Sequence, residues 1–190
     1  LPDARGHGKS EGTYIGMGWH DRRDIVAWTK HILSRAPDAR ILLFGISMGA
    51  AAVMMAAGEA DLPANVRAVV EDCGYSSVWE EFAYQVKKLF GLPRFPVLHI
   101  ASRIAQRRYG WNFREASAVE QLKKSRLPIL CVHGSKDTFV PVRMIEQVYA
   151  AACGFKRKLI IEGAGHGAAA AVGGEAYWQT LREFAFLYID

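Results

Sequence analysis

The stretch Gly45-Ile46-Ser47-Met48-Gly49 sets a serine midway between two glycines. Before it, Ile41 to Ile46 is an uninterrupted apolar run; after it, Met48 to Ala57 is rich in strong helix formers. Ser47 therefore stands on a sharp strand-to-helix turn, whose strained backbone lifts the hydroxyl out at the top of a sheet. Glycine is expected at 45 and at 49 because strand and helix approach too closely there for a Cβ. The helix that follows aims its N-terminal amides, Met48 N–H first, at the point where a tetrahedral oxyanion would form. The chemistry implied is acyl transfer through a serine nucleophile.

A serine hydroxyl is a weak nucleophile until a histidine takes its proton and a carboxylate steadies the imidazole. In a strand-turn-helix setting the chain order is serine, acid, histidine, each partner just past a later strand. Asp137 meets this requirement in His133-Gly134-Ser135-Lys136-Asp137-Thr138-Phe139-Val140-Pro141, and His166 meets it in Glu162-Gly163-Ala164-Gly165-His166-Gly167. Asp72, at the end of another strand, is the alternative acid. His133 reads as a support for the turn that presents Asp137. His7, His20, His31 and His99 have no preceding strand to position them and read as surface or helix residues.

The elements that must hold these groups alternate along the chain. Val66 to Glu71, Pro128 to His133 and Lys158 to Ile161 are further strands, rich in β-branched residues and bounded by Gly or Pro. Ile41 to Ile46 contains nothing polar, as expected of a strand covered on both faces. Between the strands lie helical stripes: Ile25, Trp28, Ile32 and Leu33; Met144, Ile145, Val148 and Tyr149; Tyr177, Leu181, Phe184 and Leu187. The pattern predicts an α/β domain built on a mainly parallel sheet with flanking helices.

Residues 75–121 interrupt the rhythm with two helices, around Ser76 to Leu89 and Pro96 to Arg108. An insertion this long after a strand is where a cap over a binding site belongs. Its aromatics Trp79, Phe82, Tyr84, Phe90, Phe95, Tyr109 and Trp111 would line a pocket or pack the cap onto the sheet. Charge is concentrated in the same region: Lys87 to Arg126 carries ten basic residues against Glu115 and Glu120, a balance of +8 within a chain whose net charge is +5. Such a segment attracts anionic substrates or lipid headgroups, or is simply a solvated face.

These motifs resemble the α/β-hydrolase superfamily, and the chain is most similar to bacterial serine hydrolases grouped with the S33 aminopeptidase-like and cell-surface α/β hydrolases. The resemblance rests on Asp3-Ala4-Arg5-Gly6-His7-Gly8-Lys9-Ser10 as the loop after an early strand, Gly45 to Gly49 as the nucleophile elbow, Asp137 with Val140-Pro141 as the acid loop, and Gly165-His166 as the histidine loop. It implies hydrolysis of a small ester, thioester or amide, without cofactor or metal and without nucleic acid, through an acyl-enzyme on Ser47. The oxyanion would be held by Met48 N–H. The family's second oxyanion donor comes from a loop further upstream, so the chain is expected to be a partial hydrolase domain over 1–190, with the 75–121 cap inside it and the N-terminal strands missing. That would leave an uncovered apolar sheet edge and little turnover by the chain alone. A carboxylesterase is the leading activity, with an aminopeptidase-like S33 peptidase and a non-catalytic binding module as alternatives.

Composition narrows the remaining classes. At 190 residues and 51% hydrophobic, the chain has material for one substantial core. No apolar run approaches the roughly 18 residues of a membrane span, although the basic cap could meet a membrane surface. Three cysteines, Cys73, Cys131 and Cys153, give no disulfide framework or paired metal site. Gly8-Lys9-Ser10 mimics the end of a phosphate-binding loop, but Asp3 stands where that motif needs glycine and Glu11 to Gly16 reads as loop rather than helix.

Overall fold

A computed structural model describes residues 2–189. Its elements are α1 Asp21–Arg35, β1 Ile41–Ile46, α2 Met48–Ala56, β2 Val66–Asp72, α3 Val78–Phe90, α4 Arg94–Tyr109, α5 Ala118–Leu122, β3 Ile129–Gly134, α6 Arg143–Ala151, β4 Lys156–Ile161 and α7 Ala169–Ile189. Each expected strand forms within two residues of its expected ends. The four pair in parallel in the order β1-β2-β3-β4, as strands must when a helix separates each from the next.

Two apolar layers sandwich the sheet. On one face Val66, Val69, Ile129 and Cys131 pack with Met54 and Met55 of α2 and Met144, Ile145 and Val148 of α6. On the other, Ala68, Val70, Leu130 and Val132 pack with Tyr177 and Phe184 of α7. Central β3 is buried along its whole length and β2 at every position but Arg67, which accounts for their unbroken apolar sequences.

Two expectations about packing are corrected. Strand β1 is not covered on both faces: Phe44 and Ile46 are exposed and face an open groove of about 1010 Å³ along the outer edge of the sheet. Nor does α1 bury the stripe of Ile25, Trp28, Ile32 and Leu33. Its buried positions are Asp21, Arg22, Val26 and Thr29, while Trp28 and Ile32 are exposed. Polar anchors set this rotation, because Asp21 Oδ2 accepts the Gly18 N–H at 3.0 Å and Arg22 pairs with Glu59 at 2.7 Å. A buried charge needs its partner more than an apolar side chain needs burial.

The excursion between β2 and β3 is closed at its base. Ser77 and Ser117 form an antiparallel bridge. Each also caps a helix, Ser77 Oγ accepting Glu80 N–H and Ser117 Oγ accepting Glu120 N–H, both at 3.2 Å. The aromatics of this segment divide: Trp79 and Trp111 are buried, Phe82 and Tyr84 half-buried, and Phe90, Phe95 and Tyr109 exposed.

The turn from β1 to α2 is the tightest junction. A Cβ at Gly45 would lie 2.2 Å from the Gly49 carbonyl oxygen, whereas one at Gly49 would meet nothing within 4 Å. Only the first glycine of the pair is sterically required by this chain, which corrects the symmetric expectation. Gly45→Ala should therefore lower stability by about 3 kcal/mol or more, a fall in Tm on the order of 10 °C. Gly49→Ala, at a helical position with room, should leave Tm unchanged or slightly raised; thermal melts of the two variants check both.

Candidate active site

The sheet register brings the strand ends level. Ile46 of β1 lies beside Asp72 of β2, Asp72 beside Val132 of β3, and Gly134 beside Ile161 of β4. The loops leaving these strands share one rim. Ser47 sits at φ 56°, ψ −117°, a left-handed conformation unusual for a residue with a side chain. Its N–H donates to the Asp72 carbonyl at 2.8 Å, and its own carbonyl accepts the first helical bond from Ala51 at 3.0 Å. The turn is thereby tied to β2 on one side and to α2 on the other. Met48 is the first residue of that helix, so its N–H precedes the intrahelical ladder.

The loops after β3 and β4 are stitched together. Ser135 N–H donates to the Ile161 carbonyl at 3.0 Å, Lys136 N–H to the Ala164 carbonyl at 2.9 Å, and Gly163 N–H to Ser135 Oγ at 2.9 Å. Gly134 is required here, since a Cβ would lie 2.3 Å from the Ala164 carbonyl oxygen. The stitching brings Asp137 and His166 to Ser47. Ser47 Oγ is 2.7 Å from His166 Nε2, and His166 Nδ1 is 2.8 Å from Asp137 Oδ2. An ionised carboxylate only accepts, so Nδ1 carries the imidazole proton and Nε2 is left to accept from the serine hydroxyl.

Asp137 is buried yet ionised. Burial alone would raise its pKa, but hydrogen bonds from His133, from His166 and from the Phe139 N–H outweigh that and hold it well below the usual carboxylate range. Oδ1 accepts the Phe139 and Val140 N–H groups at 2.8 and 2.9 Å. His133, fully buried, supports the same loop: its Nε2–H lies 2.9 Å from the Val140 carbonyl and 3.3 Å from Asp137 Oδ2. Burial works to lower the pKa of His133, but the bonds to Asp137 and Val140 raise it. The expectation that His133 steadies the Asp137 turn matches this geometry.

Helix α3 reaches the same loop from outside the sheet. Tyr84 Oη donates to the Thr138 carbonyl at 3.0 Å, Gln85 Nε2 to the Phe139 carbonyl at 2.8 Å, and Lys88 Nζ also to Thr138. The Phe139 ring lies 4.9 Å from that of His166. Sequence reasoning missed Tyr84, Gln85 and Phe139 in this setting, and no spacing rule marks them.

The other candidates fall elsewhere. Asp72 Oδ2 accepts the Tyr177 hydroxyl at 2.8 Å and does not bond His166; burial raises its pKa despite that bond. His7 Nδ1 lies 3.0 Å from the Arg5 carbonyl, and His20 Nδ1 lies 2.7 Å from Tyr14 Oη. His31 and His99 pack edge-on against Trp28 and Trp79. In the Asp3–Ser10 loop, Asp3 Oδ2 accepts Lys9 N–H at 2.9 Å and the Asp3 carbonyl accepts Ser10 Oγ at 2.7 Å. Arg5 pairs with both oxygens of Asp24, fastening that loop to α1.

Cys73, at φ 52° directly after β2, has its sulfur within 4.8 Å of donor atoms on Asp137 and His166. Burial, and then the charge of Asp72, push its thiol up to about 12. It is therefore a neutral neighbour at neutral pH. The donor atoms of Asp137 and His166 are already engaged in hydrogen bonds.

A family model described as "Hydrolase_4: Serine aminopeptidase, S33" matches residues 1–110. The uncharacterized protein YqkD of Bacillus subtilis (strain 168) is 27% identical over 183 residues, covering 96% of this chain and 60% of that protein. The uncharacterized protein YfhR of Salmonella typhi is 29% identical over 173 residues, covering 86% of this chain and 53% of that protein. The chain thus spans little more than half the length of these relatives. Among solved structures, the Pyrococcus furiosus esterase Pf2001 superposes with a TM-score of 0.74 at 20% identity, over 99% of this chain and 70% of that one. Pyrococcus horikoshii acylaminoacyl peptidase superposes with a TM-score of 0.70 at 19% identity, over 91% of this chain and 28% of that one. The fold is that of the α/β hydrolases.

A further acid, Glu71, is fully buried near the end of β2. Its Oε2 accepts the Gly74 N–H at 3.0 Å, and its Oε1 has no hydrogen-bond partner among the described residues. Burial pushes its carboxyl up to about 8, with the Gly74 bond and nearby His133 pulling the other way. The folded state holds this proton more tightly than the unfolded chain does. The stabilising contribution is full below the ordinary value of 4.5 and is lost as pH rises through about 8. Glu71→Gln should therefore gain several degrees in Tm over the parent at about pH 9 and much less at about pH 5. Melts across that window check it; equal differences at both ends would contradict a neutral Glu71.

Proposed function

Because the chain belongs to the serine aminopeptidase S33 family, we propose that it forms the catalytic body of a serine hydrolase acting on carboxylic esters, with Ser47 as nucleophile, His166 as base and Asp137 as its acid partner. The observation that carries this reading is the unbroken chain of hydrogen bonds, 2.7 Å from Ser47 Oγ to His166 Nε2 and 2.8 Å from His166 Nδ1 to Asp137 Oδ2. Ser47 Oγ attacks the ester carbonyl as its proton passes to His166 Nε2. Asp137, kept anionic by its hydrogen bonds, stabilises the imidazolium. Met48 N–H and the N-terminal end of α2 stabilise the oxyanion. Collapse of the tetrahedral intermediate breaks the C–O bond, and the leaving alkoxide takes its proton from His166. A water, deprotonated by His166, then attacks the acyl-Ser47 ester and frees the acid.

In this reading residues 75–121 are the cap of the hydrolase domain. Support comes from α3, which hydrogen-bonds the loop that presents Asp137, and from the bridge between Ser77 and Ser117 that closes the base of the segment. A second reading, a peptidase acting on N-terminal residues, is favoured by the family description and by the likeness to an acylaminoacyl peptidase. Ester and amide cleavage share the same steps and differ in leaving group.

A fluorophosphonate probe should label the folded protein at Ser47, as located by peptide mass mapping, and Ser47→Ala should abolish labelling. Asp137→Asn should cut turnover by about 10⁴, the scale seen when this acid is neutralised in other triads. Faster turnover of p-nitrophenyl esters than of aminoacyl anilides supports the esterase; the reverse supports the peptidase. A folded protein that takes no label at Ser47 would be a binding module, and the enzymatic reading fails.

A further inference from the structure

We propose that the outer surface of α3 and α4 docks onto an anionic lipid bilayer, through an exposed apolar tip at Leu89, Phe90, Leu92 and Phe95 set beside a basic stripe on α4. This inference goes beyond the proposed reaction and depends on binding alone.

The composition of the segment is one-sided. From Phe82 to Arg114 there are seven lysines and arginines and not one Asp or Glu, and all seven basic residues are exposed. The tip is formed where α3 ends at Phe90, the chain turns at left-handed Gly91, and α4 begins at Arg94. Within these few residues Leu89, Phe90, Leu92 and Phe95 are 65%, 69%, 45% and 68% exposed. An apolar cluster of this kind, rimmed by charge, marks an interaction surface.

Helix α4 continues the pattern. Its inner side buries Leu98, Ser102 and Ala105. Ile100, Arg103, Ile104, Arg107 and Arg108 fall at i, i+3, i+4, i+7 and i+8, the spacing of one helix face, and all are exposed. Apolar and cationic side chains interleaved on one outward face suit a lipid interface. The isoleucines enter the acyl boundary while the guanidiniums meet phosphate. Among the described residues Arg94, Arg103, Arg107 and Arg108 form no ion pair with a carboxylate, so their charge is available to an external anion. The same charge disfavours a second copy as occupant, since two patches packed face to face would repel.

Cosedimentation with vesicles tests the proposal. The protein should pellet with vesicles of phosphatidylcholine mixed with phosphatidylglycerol, less so as salt is raised, and little with phosphatidylcholine alone. Arg103→Gln/Arg107→Gln/Arg108→Gln should lower partition onto the mixed vesicles on the order of 10- to 100-fold. Phe90→Ser/Phe95→Ser should lower it about 10-fold or more. These positions are exposed, so both variants should melt with the parent. A Phe90→Trp variant gives an independent readout: its emission should shift to the blue on mixed vesicles and stay put on neutral ones. Failure of the folded protein to bind mixed vesicles, or binding indifferent to both sets of substitutions, overturns the proposal. So does a concentration-dependent dimer that Phe90→Ser/Phe95→Ser abolishes while the protein ignores vesicles, an outcome that assigns the patch to a second copy.

Discussion

The contact of 2.7 Å between Ser47 Oγ and His166 Nε2 joins groups 119 residues apart, and most of the molecule can be understood as the frame that keeps it. Neither side chain could hold the other unaided, because each stands on a loop that would wander by more than a hydrogen bond's tolerance. The remedy is backbone. Ser47 is fastened to the end of β2, and the loops after β3 and β4 are bonded to each other before they present Asp137 and His166. Flush parallel strands make this possible, since their carboxyl ends fall on a single rim. Gly134 stands where β3 meets the loop after β4, and Gly45 where β1 meets the first turn of α2, each closer than any Cβ allows.

Of the buried carboxyls near this rim, Asp137, Asp72 and Glu71 are pushed in different directions by their environments. Asp137 collects four hydrogen-bond donors and stays ionised. Asp72 has the Tyr177 hydroxyl, and its pKa rises. Glu71, with the Gly74 N–H and an Oε1 that has no hydrogen-bond partner among the described residues, is pushed up to about 8 by burial. Desolvation works against the charge of all three, and only at Asp137, with its full set of donors, do hydrogen bonds outweigh it.

The excursion between β2 and β3 has two unlike sides. Inward, Tyr84 and Gln85 brace the backbone of the Asp137 loop, while Trp79 and Trp111 join the core. Outward, the stretch from Phe82 to Tyr109 exposes phenylalanine, isoleucine and arginine and contains no acid. If the proposed docking surface is occupied, α3 links it to the acid loop by a short mechanical route, since the same helix bonds the Thr138 and Phe139 carbonyls.

The amino-acid sequence by itself determined the strands and the order of the site. Runs such as Ile41–Ile46 and Ile129–Gly134 are apolar enough to be legible as strands, and a serine, an aspartate and a histidine each placed just past a strand are legible as a set because a parallel sheet brings those ends together. The sequence favoured Asp137 over Asp72 as the acid, and the fold separates them: Asp137, past β3, bonds the imidazole, while Asp72, the last residue of β2, accepts the Tyr177 hydroxyl. Tertiary structure alone decided the rotation of α1, where the Arg22–Glu59 pair overrode an apolar stripe, and the need for Gly45 but not Gly49. It also recruited Phe139, Tyr84 and Gln85 to the site. Periodicity encodes which residues share a face of their own element; which face meets which neighbour depends on register and on polar partners far away in the chain, and these exist only once the chain has folded.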